Sequence, residues 1–465
     1  MSPDLPISQS RPQCYGPFTD SLSADCAATG ERWRRPANPG QTGRDPRVAA
    51  DGSPMESRTR NHRNRQRGAR VLVYSHDTYG LGHLRRSLLI AGGLASTSTV
   101  GSVLIVTGSP RTQAFSLPQG CDTVKIPSVT KTPGGRYRAR TLSLQTREVL
   151  RIRSELIRSS FEAFRPDLIL VDHAPVGMLG ELRPVLDAVG GQRSPVRLVL
   201  GLRDVIDDPA SVVDEWSRLG AWPCLESAYD RILVYGDPSV PTTAQELGLS
   251  TSFPWKVSHV GYLGRPIRNG QSSAEPMILV TTGGGGDGHD LLRAYAAFLE
   301  WLPHPASFQS VVVTGPLMSR TRRQEMISRF RDVPHRVEVL TFTDRLEKLI
   351  AGARGVVSMA GYNSVVEVLS AGKPALLVPR ERPRLEQRIR AERVAERVPA
   401  VEWSPPSQCT PQRIWEFVER ALVRADGQAP SVALGGVEAA VLEVLRLLEA
   451  GEAYSGAKEG LRVPA

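Results

Sequence analysis

SMAGYNSVVEVLSAGKPALLVPRERPRLEQ, residues 358–387, carries the reading of this chain. A β-branched strand (GVVSM) runs into a small-residue turn, and a helix is expected to begin near Asn363 and Ser364, both able to cap it. The N–H groups from Gly361 to Val365 would then be free to cradle a diphosphate, because a helix start offers unpaired donors and a positive dipole end. Glu367 lies in the first turns, where its carboxylate can accept bonds from ribose hydroxyls or simply complement the dipole. Glu386 and Gln387 follow the next strand, placed to bring polar groups over a sugar or to remain solvated helix residues.

Outward from this stretch, short apolar runs alternate with helix-length segments. One set comprises RVLVYS, SVLIV (102–106), DLILVD (167–172), VRLVL (196–200) and RILVY (231–235). A second comprises MILVTT, SVVVT (310–314), RVEVLT (336–341), RGVVSM (354–359) and PALLVP (374–379). Continuous apolar strands separated by helices indicate βαβ units and parallel sheets. The reading is therefore α/β, with two Rossmann-like doubly wound domains facing a cleft: 69–266, then 267–426 after the Gly/Pro/Ser-rich GRPIRNGQSSAEP (264–276). Residues 427–465 hold an amphipathic helix, with Val437, Val441, Val444, Leu445 and Leu448 at helical spacing, and a tail.

Two glycine-rich turns follow the first strands. TTGGGGDGHD (281–290) places Gly283, Gly284, Gly285 and Gly286 after the opening strand of the second domain, exposing backbone to a phosphate- or sugar-sized ligand. It lacks the GK[ST] of an ATP-hydrolysing loop. In the first domain SHDTYGLGHLRRSL places Gly80, Gly82 and His83 at a strand-to-helix turn. A histidine there can serve as a general base or merely bond its own loop. Asp77, Asp172 and His173, the last two ending DLILVDHAP, are further candidates for the base.

Residues 1–68 read as a disordered basic tail. Positions 1–70 hold twelve arginines against seven acidic residues, half of the chain's net charge of +10, without apolar periodicity. No aromatic interleaving accompanies the charge, so nucleic acid is not expected as a partner. The five scattered cysteines suggest neither a zinc site nor a disulfide framework. The absence of a signal-like or membrane-spanning apolar run leads to an expected cytoplasmic address. Arg85, Arg86 and the loop KTPGGRYRAR (131–140) offer either a peripheral contact with anionic headgroups at the inner membrane face or a solvated surface.

The glycine loop, the AGYNSVVE turn and helix, and the Glu386–Gln387 pair together resemble the GT-B glycosyltransferases of family 28, which include the lipid II-forming N-acetylglucosaminyl transferase and the galactolipid synthases. The likeness is strongest over about 277–400. It implies a donor site for a nucleotide-diphosphate sugar, UDP-sugar first among them, formed by Gly283 to Gly286, Gly361, Asn363, Ser364, Glu367, Glu386 and Gln387. TFTDRLEKLIAGARGVVSMAG (341–361) looks like the family's base-binding loop, with main-chain groups near Phe342 and Thr343 reading the base and Glu367 holding the ribose. GLGH is similar to the family's N-terminal turn, which favours His83 as the base.

SHDTYGLGHLRRSL also looks like a group of bacterial predicted glycosyltransferases. The expected reaction is inverting transfer to an acceptor hydroxyl on a glycan, lipid or small molecule. No cofactor is expected, and no metal, since no DxD-like pair is suitably placed. A nucleotide-sugar 2-epimerase and a non-catalytic nucleotide-sugar-binding regulator are the alternatives.

Overall fold

The computed structural model describes residues 67–460, apart from 77–81, 113–114, 133–135, 191–194, 266, 268–274, 304–305 and 425–431. The expected tail, Asp77, Gly80 and the centre of the 131–140 loop lie outside the described residues.

The first domain opens with β1 (Ala69–Ser75), α1 (Gly82–Ala95), β2 (Val100–Thr107) and β3 (Cys121–Lys125). A small hairpin, β4 (Val129–Lys131) and β5 (Tyr137–Ala139), leads to α2 (Thr146–Phe164) and β6 (Leu168–Asp172). The domain continues through α3 (Arg183–Val189), β7 (Arg197–Arg203), α4 (Pro209–Arg218), α5 (Ala221–Ser227) and β8 (Arg231–Tyr235). It closes with α6 (Thr243–Glu246), α7 (Leu249–Ser252) and β9 (Val257–His259).

The second domain alternates strictly. It runs β10 (Met277–Thr281), α8 (His289–Trp301), β11 (Gln309–Val313), α9 (Arg320–Asp332), β12 (Val337–Leu340) and α10 (Leu346–Gly352). There follow β13 (Gly355–Ser358), α11 (Tyr362–Ala371), β14 (Ala375–Leu377), α12 (Glu386–Arg397), β15 (Val401–Trp403), α13 (Pro411–Val423) and α14 (Gly436–Gly460).

Each domain is built on one parallel sheet, in the orders β3-β2-β1-β6-β7-β8-β9 and β12-β11-β10-β13-β14-β15. In both, the order reverses beside the first strand. Such a switch point leaves a crevice at the strand C-termini where ligands bind. In the first sheet it lies between β1 and β6, so His76, just after β1, and Asp172, the last residue of β6, stand at neighbouring strand ends. In the second it lies between β10 and β13, which brings the glycine loop beside the turn into α11.

Strand residues alternate between faces. Leu72 and Tyr74 pack into one cluster with Ile169 and Leu200, while Val71 and Val73 face a second that continues into the other domain through Leu279, Val365 and Val441. The helix α14 packs on α1, where a Cβ on Gly93 would stand 2.8 Å from Val441. A glycine at that position lets the two helices approach closely. The two chain crossings between the domains run side by side, with Tyr262 N donating to Ala433 O at 2.9 Å.

The helix α11 holds three valines that disfavour helix, yet nearly every residue in it is buried, so tertiary packing sets its conformation. Gly372, at φ +60°, ends it in the left-handed conformation that glycine adopts without strain.

Candidate active site

The donor-side turn differs in detail from the sequence expectation. Gly361 is the N-cap of α11, with no side-chain cap, and Asn363 and Ser364 lie inside the helix. The Val365 N–H is not free either; it donates to Gly361 O at 3.0 Å. The unpaired donors of the first turn are therefore those of Tyr362, Asn363 and Ser364. Freed from capping, Asn363 reaches across to the first domain, its Nδ2 donating to Gly82 O at 3.4 Å. Ser364 faces the glycine loop, its Oγ 3.2 Å from where a Cβ on Gly283 would stand.

Packing accounts for part of the glycine run. At Gly285, φ is +88° and a Cβ would fall 2.3 Å from Thr314 O. The loop thus seats against the end of β11 through Gly285, while Gly283, Gly284 and Gly286 are part-exposed. Phe342 is half exposed on the loop after β12, and the Thr343 hydroxyl accepts the Arg345 N–H at 3.0 Å.

Glu367 is 7% exposed. Its carboxylate pairs with Arg85 of α1, which also lies 3.7 Å from Glu347. Burial pushes the Glu367 carboxyl up, and the Arg85 charge opposes that shift. Glu386 and Gln387 lie in the first turn of α12 and are buried, not solvated helix residues. Arg380 Nη2 donates to Glu386 Oε1 at 2.6 Å, and the Arg380 N–H reaches Gln387 Oε1 at 3.3 Å.

On the opposite side, two candidates for the base prove to be one unit. His83, in the first turn of α1, places Nδ1 2.6 Å from Asp172 Oδ2. A carboxylate only accepts, so Nδ1 carries the hydrogen and Nε2 is left with its lone pair. Arg86 grips both Asp172 oxygens at 2.9 and 3.1 Å and lies 2.9 Å from His83 Nδ1. At 2% exposed and so paired, Arg86 is not available for membrane headgroups, and Arg85 is engaged by Glu367. Burial, reinforced by the Arg86 charge, outweighs Asp172 and lowers the His83 pKa to about 4. Burial would raise the Asp172 carboxyl, but Arg86 and His83 hold it well below the usual carboxylate range.

His173 stands in the left-handed region at φ +73°, a conformation uncommon for residues other than glycine. Its ring centroid is 5.2 Å from that of His83 and 5.5 Å from that of His76. A pocket opens beside these rings, lined by His76, His173, Met178, Ile206, Trp216 and, from the second domain, Arg384.

The seam between the domains is also polar. Arg390, 1% exposed, donates to Asp204 through Nε at 2.9 Å and Nη2 at 2.8 Å, and through Nη1 to Ala360 O at 3.1 Å. Arg384 Nη2 donates to Glu215 at 2.7 Å. These arginines escape a reading based on local pattern, since their partners lie more than 150 residues away in the chain.

Two doubly wound domains whose switch-point loops face one another define the GT-B fold. The chain has this fold, and its residues 277–421 match the glycosyltransferase family 28 C-terminal domain. A stretch of 151 residues is 26% identical to the UDP-N-acetylglucosamine--N-acetylmuramyl-(pentapeptide) pyrophosphoryl-undecaprenol N-acetylglucosamine transferase of Leuconostoc mesenteroides. That match covers 32% of this chain and 36% of the relative. Among solved structures, TcCGT1 in complex with UDP has a TM-score of 0.55 at 14% identity, covering 83% of this chain and 100% of that one. The glycotransferase of kitacinnamycin has a TM-score of 0.53 at 16% identity, covering 83% and 96%. At these identities the solved structures establish the fold alone.

Proposed function

We propose that the protein transfers a sugar from a nucleoside diphosphate donor, UDP-linked in the first instance, to an acceptor hydroxyl, with inversion and without a metal. The observation that carries this reading is the His83–Asp172 pair at one switch point, joined through the Gly82–Asn363 contact to the unpaired helix start of the family 28 domain. The acceptor hydroxyl gives its proton to His83 Nε2 while its oxygen attacks the anomeric carbon. The bond from that carbon to the diphosphate oxygen breaks, and the leaving charge falls on the diphosphate. The N–H groups of Tyr362 to Ser364 and the part-exposed glycines of the loop would receive that charge, the work a divalent ion does elsewhere.

Glu367 would hold the ribose, taking its hydroxyls in place of, or together with, Arg85. Main-chain groups at Phe342 and Thr343 would read the base. The acceptor would approach from the first-domain side, past His76 and His173. A 2-epimerase needs carboxylates free to act around the sugar, whereas Asp172, Asp204, Glu215, Glu367 and Glu386 are each engaged by an arginine, and no observation favours a non-catalytic regulator. Such a donor implies work in the cytoplasm. Arg136, Arg138 and Arg140, exposed on and beside the β4–β5 hairpin, are the surface through which the protein would touch an anionic membrane. Among the described residues no helix is long and apolar enough to cross one.

Incubation with UDP-, GDP- and TDP-sugars is the direct test. Release of nucleoside diphosphate and free sugar, strongest with a UDP-sugar, is expected. Recovery of an epimerised sugar would contradict transfer.

A further inference from the structure

The guanidinium groups of Arg86, Arg390, Arg384 and Arg380 each hold a carboxylate at 2.6 to 2.9 Å. Arg203, the last residue of β7, makes no such pair among the described residues, and its Nε is buried without a hydrogen-bond partner. The side chain as a whole is part-exposed, so its guanidinium keeps contact with solvent while lacking an ion pair. A cation placed this way is free to take its counter-charge from outside the chain.

Two more buried polar atoms beside it are unpartnered. The His173 N–H donates to Gly201 O at 2.8 Å, which fixes the end of β6 against the end of β7, and His173 Nδ1 has no partner. Glu386 uses Oε1 on Arg380, while its buried Oε2 has none. Arg390 ties that part of the second domain to the same place, donating to Glu386 O at 3.4 Å and to Asp204, the residue after Arg203, at 2.8 Å. Burial lowers the pKa of Arg203 and Glu386 is the carboxylate that most opposes it, while burial lowers that of His173 and Arg203 is the charge that most reinforces it. The His173–Gly201 bond and the two Arg390 bonds bring the residues bearing these three orphan atoms to one stretch of the seam between the domains.

We infer that Arg203 binds a substrate oxyanion, with His173 Nδ1 and Glu386 Oε2 beside it for the hydroxyl groups that flank that oxyanion. The identity of the oxyanion rests on the glycosyl-transfer reading: it is the donor's diphosphate, or a phosphate or carboxylate carried by the acceptor. In either case its negative charge offsets cations that depress His83, so the bound substrate makes the base stronger.

Calorimetric titration of the full chain with UDP, and then with inorganic phosphate after UDP saturation, tests this in the wild type, R203Q and R203K. R203Q is expected to weaken one of the two affinities at least tenfold, with R203K restoring part of the loss. Loss of UDP affinity identifies the diphosphate as the source; loss of the phosphate affinity identifies the acceptor anion. Without ligand, R203Q is expected to melt at or above the wild-type temperature, because it removes a part-buried charge that has no ion pair, whereas a purely structural arginine would leave the variant less stable. Wild-type affinity for both probes in R203Q would overturn the inference and leave the donor reading standing. A wild type that binds phosphate but not UDP, with R203Q losing the phosphate, keeps the inference and sinks the nucleotide reading. Binding of neither probe by the wild type sinks both.

Discussion

Changing His83 to Ala is expected to lower the rate of sugar transfer by about 10²- to 10⁴-fold, the usual contribution of a positioned general base, while leaving UDP affinity unchanged. The separation follows from geometry. His83 makes its hydrogen bond through Nδ1, to Asp172, with Arg86 beside the pair, both in the first domain, whereas the family 28 domain supplies the candidate donor groups. With a pKa near 4 the ring is neutral at physiological pH. The rate should stay level through neutral pH and fall as acid protonates Nε2, and H83A should lose that acid limb. Steady-state kinetics with calorimetry checks both parts. A variant that transfers at the wild-type rate, or one that loses UDP binding in proportion, would remove His83 from the role of base. Asp172→Asn should reproduce much of the loss, since an amide in place of the carboxylate no longer fixes the tautomer.

The second large effect concerns stability. Asp204→Ala leaves the Arg390 guanidinium, 1% exposed, without its counter-charge, although its carbonyl partners Val205 O and Ala360 O remain. Breaking a buried pair in this way costs about 3–5 kcal/mol. Because the pair crosses between the domains, the loss should appear as separation of the two halves as well as a lower unfolding midpoint. Chemical denaturation, with limited proteolysis near 260–276, measures both. The double replacement D204L/R390M, which removes both charges, should recover much of the loss. If D204A denatures at the wild-type midpoint, the pair does not hold the domains together.

The parts of this fold legible in the sequence are those that repeat locally. Runs such as LILVD and MILVT are buried on both faces, so their composition alone marks them as parallel strands. The three-residue strands β9 and β15 are too short to establish a period, and the half-exposed β3 lacks an apolar run. The 131–140 segment reads as a basic loop because its β4–β5 pairing depends on a partner rather than on apolar content.

At the site, GLGH and DLILVDHAP were each visible as candidates, but not that they are one pair. That depends on β1 and β6 being neighbours, a property of topology. Arg86 was visible only as a surface charge, though its place three residues after His83 on the same helix was a usable sign of a shared face. Arg203, Asp204 and Arg390 left no local signal. Their meaning lies in who faces whom across 186 residues.

Proton NMR of the first minutes of hydrolysis of an α-linked UDP-sugar by the wild-type protein tests the central claim most directly. A single displacement assisted by His83 is expected to yield the β-anomer first, with UDP in equal amount. The α-anomer appearing first, a 2-epimer, or no cleavage of any nucleotide sugar would contradict it.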